Sequence, residues 1–307
     1  MIGKRKIYRI INTRVKRTAW YHSLWNGADK FWKNPPFDLD VVNLGSGGAL
    51  HAFNYDGLPI KGANWALWPQ SLVHDFNILK NYFSFIKPGG TVVITACPFG
   101  FLKNPNYNVA SNLKYYTFLH PATILDFDEN ERMKALLLRD NPFSVKPKRC
   151  LKELYKYYCD KYLEKKEVSA DSRIDFAQNA RNMVDAWKKQ FGINDLGAPL
   201  SEKHQLEYNS RQQTLLDIVR FCKERDLKPV VVYPPIHQEL RNIFPEYFVN
   251  ITKSFMGGGN SQIVEFYDYS DYPAISDDKY FKTSYFLNEL GAKKFTEILL
   301  KDLKLIK

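Results

Sequence analysis

The octapeptide Val41-Val42-Asn43-Leu44-Gly45-Ser46-Gly47-Gly48 joins a short apolar run to an abrupt turn of small residues. Two β-branched residues and a leucine are typical of a buried strand, and the glycines after them predict a tight loop with exposed backbone amides. Because α/β sheets bind ligands beyond the carboxyl ends of their strands, Ser46 is a candidate nucleophile. The amides of Ser46 and Gly47 are then candidate oxyanion donors. A plain glycine turn is the alternative interpretation.

Apolar segments elsewhere in the chain predict a sheet around this first strand. Alternating strands and helices with short connections favour an α/β fold with a doubly wound, five-stranded parallel sheet. The predicted strands lie at 37–44, 58–60, 91–96, 229–233 and 263–267, with helices at 72–86, 212–225 and from 288 onward.

A long interruption separates the third predicted strand from the fourth. Residues 101–205 contain no strand of comparable quality, and their second half has the pattern of helices. We therefore predict a basic N-terminal arm at 1–36, an α/β core at 37–100 and 206–307, and a helical insertion at 101–205. Because the insertion leaves the sheet at the end of a strand, it is expected to overhang the ligand edge.

The positive charge is concentrated in the N-terminal arm. The 307 residues carry a formal net charge of +11, and up to Lys33 nine Lys and Arg residues face one acid, Asp29. Residues 4–20 place apolar side chains at helical spacing among basic ones, which predicts an amphipathic helix. Its apolar stripe can pack on the body of the protein, lie on an anionic membrane or contact nucleic acid. No recognised nucleic-acid motif accompanies the charge, so no nucleic-acid partner is expected.

The four cysteines, at positions 97, 150, 159 and 222, fit neither a metal knuckle nor a dense disulfide framework. They suggest a reducing compartment, and the sequence predicts no metal and no cofactor. The N-terminus is charged from Lys4 onward and lacks the apolar core of a signal peptide, and no window is long enough for a membrane span. We expect a cytoplasmic protein, with membrane association through residues 1–20 left open.

Two sequence blocks resemble the SGNH, or GDSL-type, hydrolase and acyltransferase superfamily. In its branch found with bacterial exopolysaccharide and capsule genes, the first block resembles Asn-Leu-Gly-Ser-Ser and the last resembles Asp-x-x-His-Leu-Asn-x-x-Gly-Ala. Here Asn43-Leu44-Gly45-Ser46 matches the first block, and Leu287-Asn288 with Gly291-Ala292 matches the last. The resemblance covers 37–100 and 206–307. It implies a flavodoxin-like three-layer α/β/α sandwich and serine-based acyl transfer on an acylated sugar or glycan precursor.

The same alignment puts Thr283 at the position of the family's catalytic Asp and Phe286 at that of its His. Phenylalanine has no ring nitrogen and cannot take the serine proton, so the standard triad is broken. The family's third block, Gly-x-Asn-Asp, is also absent, and Cys97-Pro98-Phe99-Gly100 stands there instead. Gly62 or Asn64 could represent the oxyanion donor of the second block.

Other residues of this chain could complete the site. His237, beyond the fourth predicted strand, and His51, five residues after Ser46, are the candidate bases, and Asp271, Asp277 or Asp278 could orient a base. The alternative interpretation is that the histidines form ordinary hydrogen bonds and the acids are solvated.

Two functions remain open at this point. The first is a carbohydrate esterase or O-acyltransferase relative in bacterial surface-polysaccharide biosynthesis, active only if a replacement base exists. The second is a non-catalytic pseudoenzyme that binds a glycan precursor or a biosynthetic partner through its aromatic-rich insertion.

Overall fold

The computed structural model describes residues 2–103, 113–124, 127–162, 174–257 and 264–307. The strands are β1 Leu39–Leu44, β2 Gly62–Asn64, β3 Ile86–Thr95, β4 Lys228–Tyr233 and β5 Glu265–Asp268. The α-helices are α1 Ile2–Val15, α2 Ala19–Trp25, α3 Gly47–Ala52, α4 Leu72–Tyr82, α5 Glu129–Asp140, α6 Pro142–Val145, α7 Pro147–Tyr162, α8 Phe176–Phe191, α9 Glu202–Lys223, α10 Gln238–Ile243, α11 Glu246–Gly257 and α12 Glu289–Asp302. Short 3₁₀ turns lie at Ala28–Phe31, Phe83–Phe85, Pro98–Phe101, Tyr115–Thr117, Pro121–Thr123, Pro273–Ile275 and Asp278–Tyr280.

The chain divides into two compact units. The first contains Met1–Pro35 and Asn108–Arg173, and the second contains Pro36–Tyr107 and Ile174–Lys307. The boundaries differ from the predicted arm, core and insertion, because the end of the predicted insertion belongs to the sheet unit. Helix α8 is hydrogen-bonded to the sheet unit, because Asn179 Oδ1 accepts hydrogen bonds from Ser284 N at 2.9 Å and from Ser284 Oγ at 2.8 Å.

The second unit is built on an all-parallel sheet. Its strand order is β2-β1-β3-β4-β5. Val42 is in register with Val92, and Val93 with Val230. The predicted five-stranded α/β fold is confirmed, and it is consistent with a flavodoxin-like three-layer sandwich.

Helices cover the sheet because its strands are apolar on both faces. Val41 and Val93 share a buried cluster with Phe295 and Leu299 of α12. Their neighbours, such as Val42, point to the opposite face because side chains alternate along a strand. Helix α9 packs against β4 and against α4. Fully buried valines on both faces fit a parallel sheet with a helical layer on each side.

The second and third strands differ from the prediction in where they begin. The second strand lies at Gly62–Asn64 instead of 58–60, because residues 55–60 form turns in which Leu58 N donates to Tyr55 O and Ile60 N donates to Leu58 O. The third strand begins at Ile86, before the Pro88-Gly89-Gly90 segment that was expected to precede it. Its pairing with β1 is irregular over this segment, so the proline and glycines are accommodated within the strand.

The first unit is helical in its described part. Asn12 Oδ1 accepts a hydrogen bond from Phe143 N at 2.9 Å, and Phe31 stacks on Phe118 with ring centroids 4.5 Å apart. The predicted amphipathic helix is present as α1. Its Val15 is fully buried, whereas Ile7 and Ile10 are exposed. None of the helices in the described ranges is both long and apolar enough to cross a membrane.

Candidate functional site

Ser46 lies at the carboxyl end of β1, directly before α3, as the octapeptide predicts. Gly45 has φ of +137°, and a Cβ atom on it would lie 2.6 Å from Ala49 Cβ and 3.0 Å from Thr95 Cβ. Only glycine therefore fits between β1, β3 and α3. The carbonyl of Ser46 accepts a hydrogen bond from Leu50 N at 2.8 Å, which anchors the serine at the start of the helix.

The hydroxyl of Ser46 contacts the segment that follows β2. Ser46 Oγ accepts a hydrogen bond from Gln70 N at 3.1 Å. This segment is held over the end of β1, since Trp65 N donates to Asn43 O and Leu67 N donates to Gly45 O. Within the described residues, no histidine is hydrogen-bonded to Ser46.

A buried carboxyl group that the sequence reasoning missed lies beneath the serine turn. Asp75 of α4 accepts hydrogen bonds at Oδ1 from Gly45 N at 2.8 Å and from Gln70 Nε2. Burial raises its pKa to about 7, although both hydrogen bonds act to lower the pKa. The available signal was that Asp75 is the only acid of α4 and lies at a core-facing position, like Leu72 and Leu79. Asp75 thus links Gly45, in the turn before Ser46, to Gln70, in the segment that follows β2.

His51 is packed against an aromatic ring. It lies on α3, and its ring centroid is 4.8 Å from that of Phe286. Partial burial lowers the pKa of His51, and the positive charge of Lys282 lowers it further. The structure therefore brings His51 to Phe286, the residue that the resemblance aligns with the SGNH family's catalytic histidine.

His237 uses both ring nitrogens beyond the end of β4. Its Nδ1 accepts a hydrogen bond from Glu239 N at 3.2 Å, which assigns the proton to Nε2. Nε2 then donates to Asp278 Oδ1 at 2.9 Å. The imidazole is buried and stacks on Phe176, with centroids 4.1 Å apart. In this neutral state neither nitrogen is left to accept a proton from a serine.

The acids considered as orienting groups have separate partners. Asp278 accepts from His237, so the structure does bring one predicted acid to one predicted base. Asp277 pairs with Lys279 at 2.8 Å, and Asp271 pairs with Arg241 at 2.8 Å. Of the three, Asp278 alone contacts a candidate base.

The candidate oxyanion donors Gly62 and Asn64 lie within β2. Gly62 is covered by the ring of Tyr55. Asn64 Oδ1 accepts from Asn43 Nδ2 at 2.9 Å and from Ala66 N at 3.0 Å, and Asn64 Nδ2 donates to Phe53 O at 3.0 Å. These contacts tie β2 to β1 and to the end of α3. The Asn64 side chain therefore stabilises this junction, and the oxyanion role of Ser46, Gly47, Gly62 and Asn64 stays a prediction.

A tight turn contains Thr283 and Phe286, the residues that the resemblance aligns with the SGNH family's catalytic Asp and His. Thr283 Oγ1 accepts hydrogen bonds from Phe286 N at 2.9 Å and from Tyr285 N at 3.3 Å. The Phe286 ring lies over Gly47, 3.4 Å from where a Cβ atom would be. The hydroxyl oxygen of Thr283 thus stabilises, through these two hydrogen bonds, the turn that holds Phe286 against α3.

Tyr285 fills the space between the ends of β1 and β3. Its hydroxyl donates to Cys97 Sγ at 2.9 Å and would lie 2.9 Å from a Cβ atom on Gly48. Burial raises the pKa of Tyr285 well above its ordinary value, so the phenol stays protonated and remains a donor. The backbone carbonyl of the preceding residue, Ser284, accepts a hydrogen bond from His237 N at 3.0 Å. We call residues 283–286 the aromatic plug, since they run from the His237 side of the sheet edge to the Ser46 side.

Comparisons with models of known protein families, with curated proteins and with solved structures each found no match. Among the described residues there is no cluster of three or more His, Cys, Asp or Glu side chains that could hold a metal ion.

Proposed function

We propose that this protein is a non-catalytic relative of the SGNH hydrolases and acyltransferases, derived from a carbohydrate esterase or O-acyltransferase of bacterial surface-polysaccharide biosynthesis. It acts by binding a glycan precursor. The observation that carries the proposal is the environment of Ser46: its hydroxyl accepts from Gln70 N, and the ring of Phe286 lies over the adjacent Gly47.

Serine-based acyl transfer requires a base within hydrogen-bond reach of the hydroxyl. Ser46 follows β1 and His237 follows β4, with β3 between them. Two strand spacings correspond to about 10 Å, which is far beyond the reach of one hydrogen bond. Loss of a triad member costs on the order of 10⁴ in turnover. Tyr285 also packs against Gly48, two residues after Ser46, and donates to Cys97 Sγ.

Binding does not depend on a triad, and the first unit offers an exposed aromatic face. Helix α7 exposes Leu151, Tyr155 and Tyr162, spaced four and seven residues apart, with the two tyrosines 75% and 70% exposed. Aromatic rings with a polar tip combine apolar area with a hydrogen-bonding hydroxyl, which suits the faces of sugar rings. We assign glycan recognition to this face.

The test is binding of the purified chain to an array of bacterial polysaccharide fragments. We expect the Tyr155→Ala/Tyr162→Ala variant to lose most of its binding, and Met133→Ala, which removes an exposed side chain from α5, to retain it. Equal binding by both variants, or no glycan binding by the wild type, would contradict the assignment and direct the search to a protein partner.

A second candidate function follows from the exposed apolar residues of α1. Ile7 and Ile10 are 56% and 45% exposed on a helix that also carries Arg5, Lys6 and Arg9. Apolar side chains among basic ones favour contact with an anionic membrane surface. Co-sedimentation with phosphatidylcholine and phosphatidylglycerol vesicles is expected to be salt-sensitive and to fall in Ile7→Ser/Ile10→Ser.

The control for this second candidate is Met133→Ser/Leu137→Ser, which changes exposed apolar residues of α5. Vesicle binding that falls equally in both double variants would show that α1 is not the contact surface. No binding at low ionic strength would remove the candidate altogether.

A further inference from the structure

The first unit contains a cavity of about 320 Å³. This volume lies within the range of small-ligand sites, roughly 300–1,000 Å³. It is independent of the serine site, since all of its lining residues belong to the helical unit. The lining residues are Lys16, Tyr21, Trp32, Lys33, Arg139 and Asp140.

The walls of this cavity are fixed by hydrogen bonds and ring contacts. Tyr21 Oη donates to Arg139 O at 2.6 Å, and Arg139 Nη1 donates to Thr117 O at 3.0 Å. The guanidinium of Arg139 lies 5.7 Å from the centre of the Trp32 ring. Because these contacts join segments distant in sequence, the cavity is preorganised rather than formed by loose surface side chains.

The cavity has an excess of positive charge. Three cationic side chains line it against one carboxylate, Asp140, which pairs with Arg139. Lys33 pairs with Asp29 at 2.9 Å. Both pairs are at least partly exposed, and such pairs contribute little to stability, so an anion can compete for their cations.

Lys16 differs from the other two cations of the cavity, which are both paired with carboxylates. Within the described residues, its ammonium has no hydrogen bond and no ion pair within 4 Å. Burial lowers the pKa of Lys16, and the charges of Arg139 and Lys33 lower it further, while Asp140 raises it. A bound anion would raise the pKa of Lys16 and so counteract the lowering by burial and by the two neighbouring cations.

We propose that this cavity binds a phosphate ester, with phosphate oxygens on Lys16, Lys33 and Arg139 and the organic part of the ligand against Trp32. Two or more converging cations match the charge of a phosphate or diphosphate, and the guanidinium can donate to two oxygens at once. The aromatic wall suits a ring or an apolar group. The phosphate can belong to a soluble ester or to a lipid headgroup.

Calorimetric titration of the full-length chain at low ionic strength tests the proposal, with pyrophosphate and uridine diphosphate as probes. Lys16→Met is expected to weaken binding by about tenfold or more, because charge-assisted hydrogen bonds are lost. The matched control is Arg17→Met, which removes the same charge from an exposed neighbour that does not line the cavity. It is expected to change the affinity by less than about twofold. Lys33→Met, at an exposed position, provides a second cavity variant if Lys16→Met does not fold.

Vesicles containing phosphatidylglycerol separate the two sources of phosphate. Binding of the soluble probes that depends on Lys16 supports a soluble ester. Vesicle binding alone that depends on Lys16, and is unchanged in Ile7→Ser/Ile10→Ser, supports a headgroup. The proposal is overturned if Lys16→Met and Arg17→Met weaken binding equally, or if wild-type protein binds neither the soluble probes nor the vesicles. None of these outcomes depends on whether Ser46 is active or α7 binds glycans.

Discussion

The ends of β1 and β4 carry Ser46 and His237, the residues that the sequence predicts as nucleophile and base, and β3 lies between these two strands. At the end of β1, Ser46 sits on a glycine turn but has Gln70 N as the hydrogen-bond donor to its hydroxyl. At the end of β4, the Nε2 atom of His237 is hydrogen-bonded to Asp278 Oδ1 at 2.9 Å. The aromatic plug lies between them. Proton transfer from a serine to a base requires the two groups to touch. Within the described residues, Ser46 and His237 are not hydrogen-bonded to each other.

The two regions also differ in how their carboxyl groups are held. Asp75 beneath Ser46 is buried and accepts from the backbone and side chain of the serine turn. The side chain of Asp278 at the other end is 74% exposed. We infer that the Ser46 region is a rigid, structural part of the core, whereas the His237–Asp278 pair contributes little to stability.

The largest expected effect is the pH dependence that Asp75 confers. Its pKa is about 7 in the folded protein against an ordinary value of 3.8, so between these values the folded state holds a proton that the unfolded state has released. Stability must then fall as pH rises from about 4 to 7, by at most about 4 kcal/mol.

Asp75→Asn keeps an acceptor oxygen for Gly45 N and cannot titrate. Urea unfolding of both proteins across this pH range should therefore give a difference in unfolding free energy that changes steadily with pH below about 7 and is constant above it. A difference that does not vary with pH would mean that Asp75 titrates normally.

The next effect concerns the packing of the serine turn. Gly45→Ala introduces a Cβ atom at a positive φ, 2.6 Å from Ala49 Cβ, and is expected to cost about 3 kcal/mol. Gly89→Ala is the control, since Gly89 also has a positive φ of +74° but nothing within 4 Å of the new atom. It should cost about 1 kcal/mol. Equal losses in thermal or urea unfolding would show that the turn is not tightly packed.

The smallest effect is expected at the end of β4. Asp278→Asn removes the charge of a carboxylate whose side chain is 74% exposed, so the free energy of unfolding should change by less than about 1 kcal/mol. Nitrogen-15 NMR of the His237 ring should still report the Nε2-protonated tautomer, because Glu239 N continues to donate to Nδ1. A change of tautomer would show that Asp278, not the backbone, orients this histidine.

The parts of the fold that follow from local patterns were predictable. Strand β1, the turn at Ser46 and α3 come from one octapeptide, and the α/β fold comes from the alternation of strands and helices. The second strand was predicted at 58–60 but lies at Gly62–Asn64, because the apolar residues at 58–60 form turns.

The site itself depends on contacts distant in sequence. Asp75 meets Gly45 across thirty positions, and Tyr285 meets Cys97 across 188. No local pattern specifies such contacts. The resemblance places Phe286 at the position of the SGNH family's catalytic histidine, which stays a prediction, and in the structure its ring faces Gly47 beside Ser46.

Covalent labelling with a fluorophosphonate probe tests the central claim most directly, because the probe reports an activated serine without requiring the natural substrate. Wild-type protein and Ser46→Ala are compared, with a known serine esterase labelled in parallel as a positive control. Our account predicts no labelling of folded wild-type protein above the level of Ser46→Ala. Labelling of the wild type that disappears in Ser46→Ala would contradict it, and His51→Ala and His237→Ala would then identify the base.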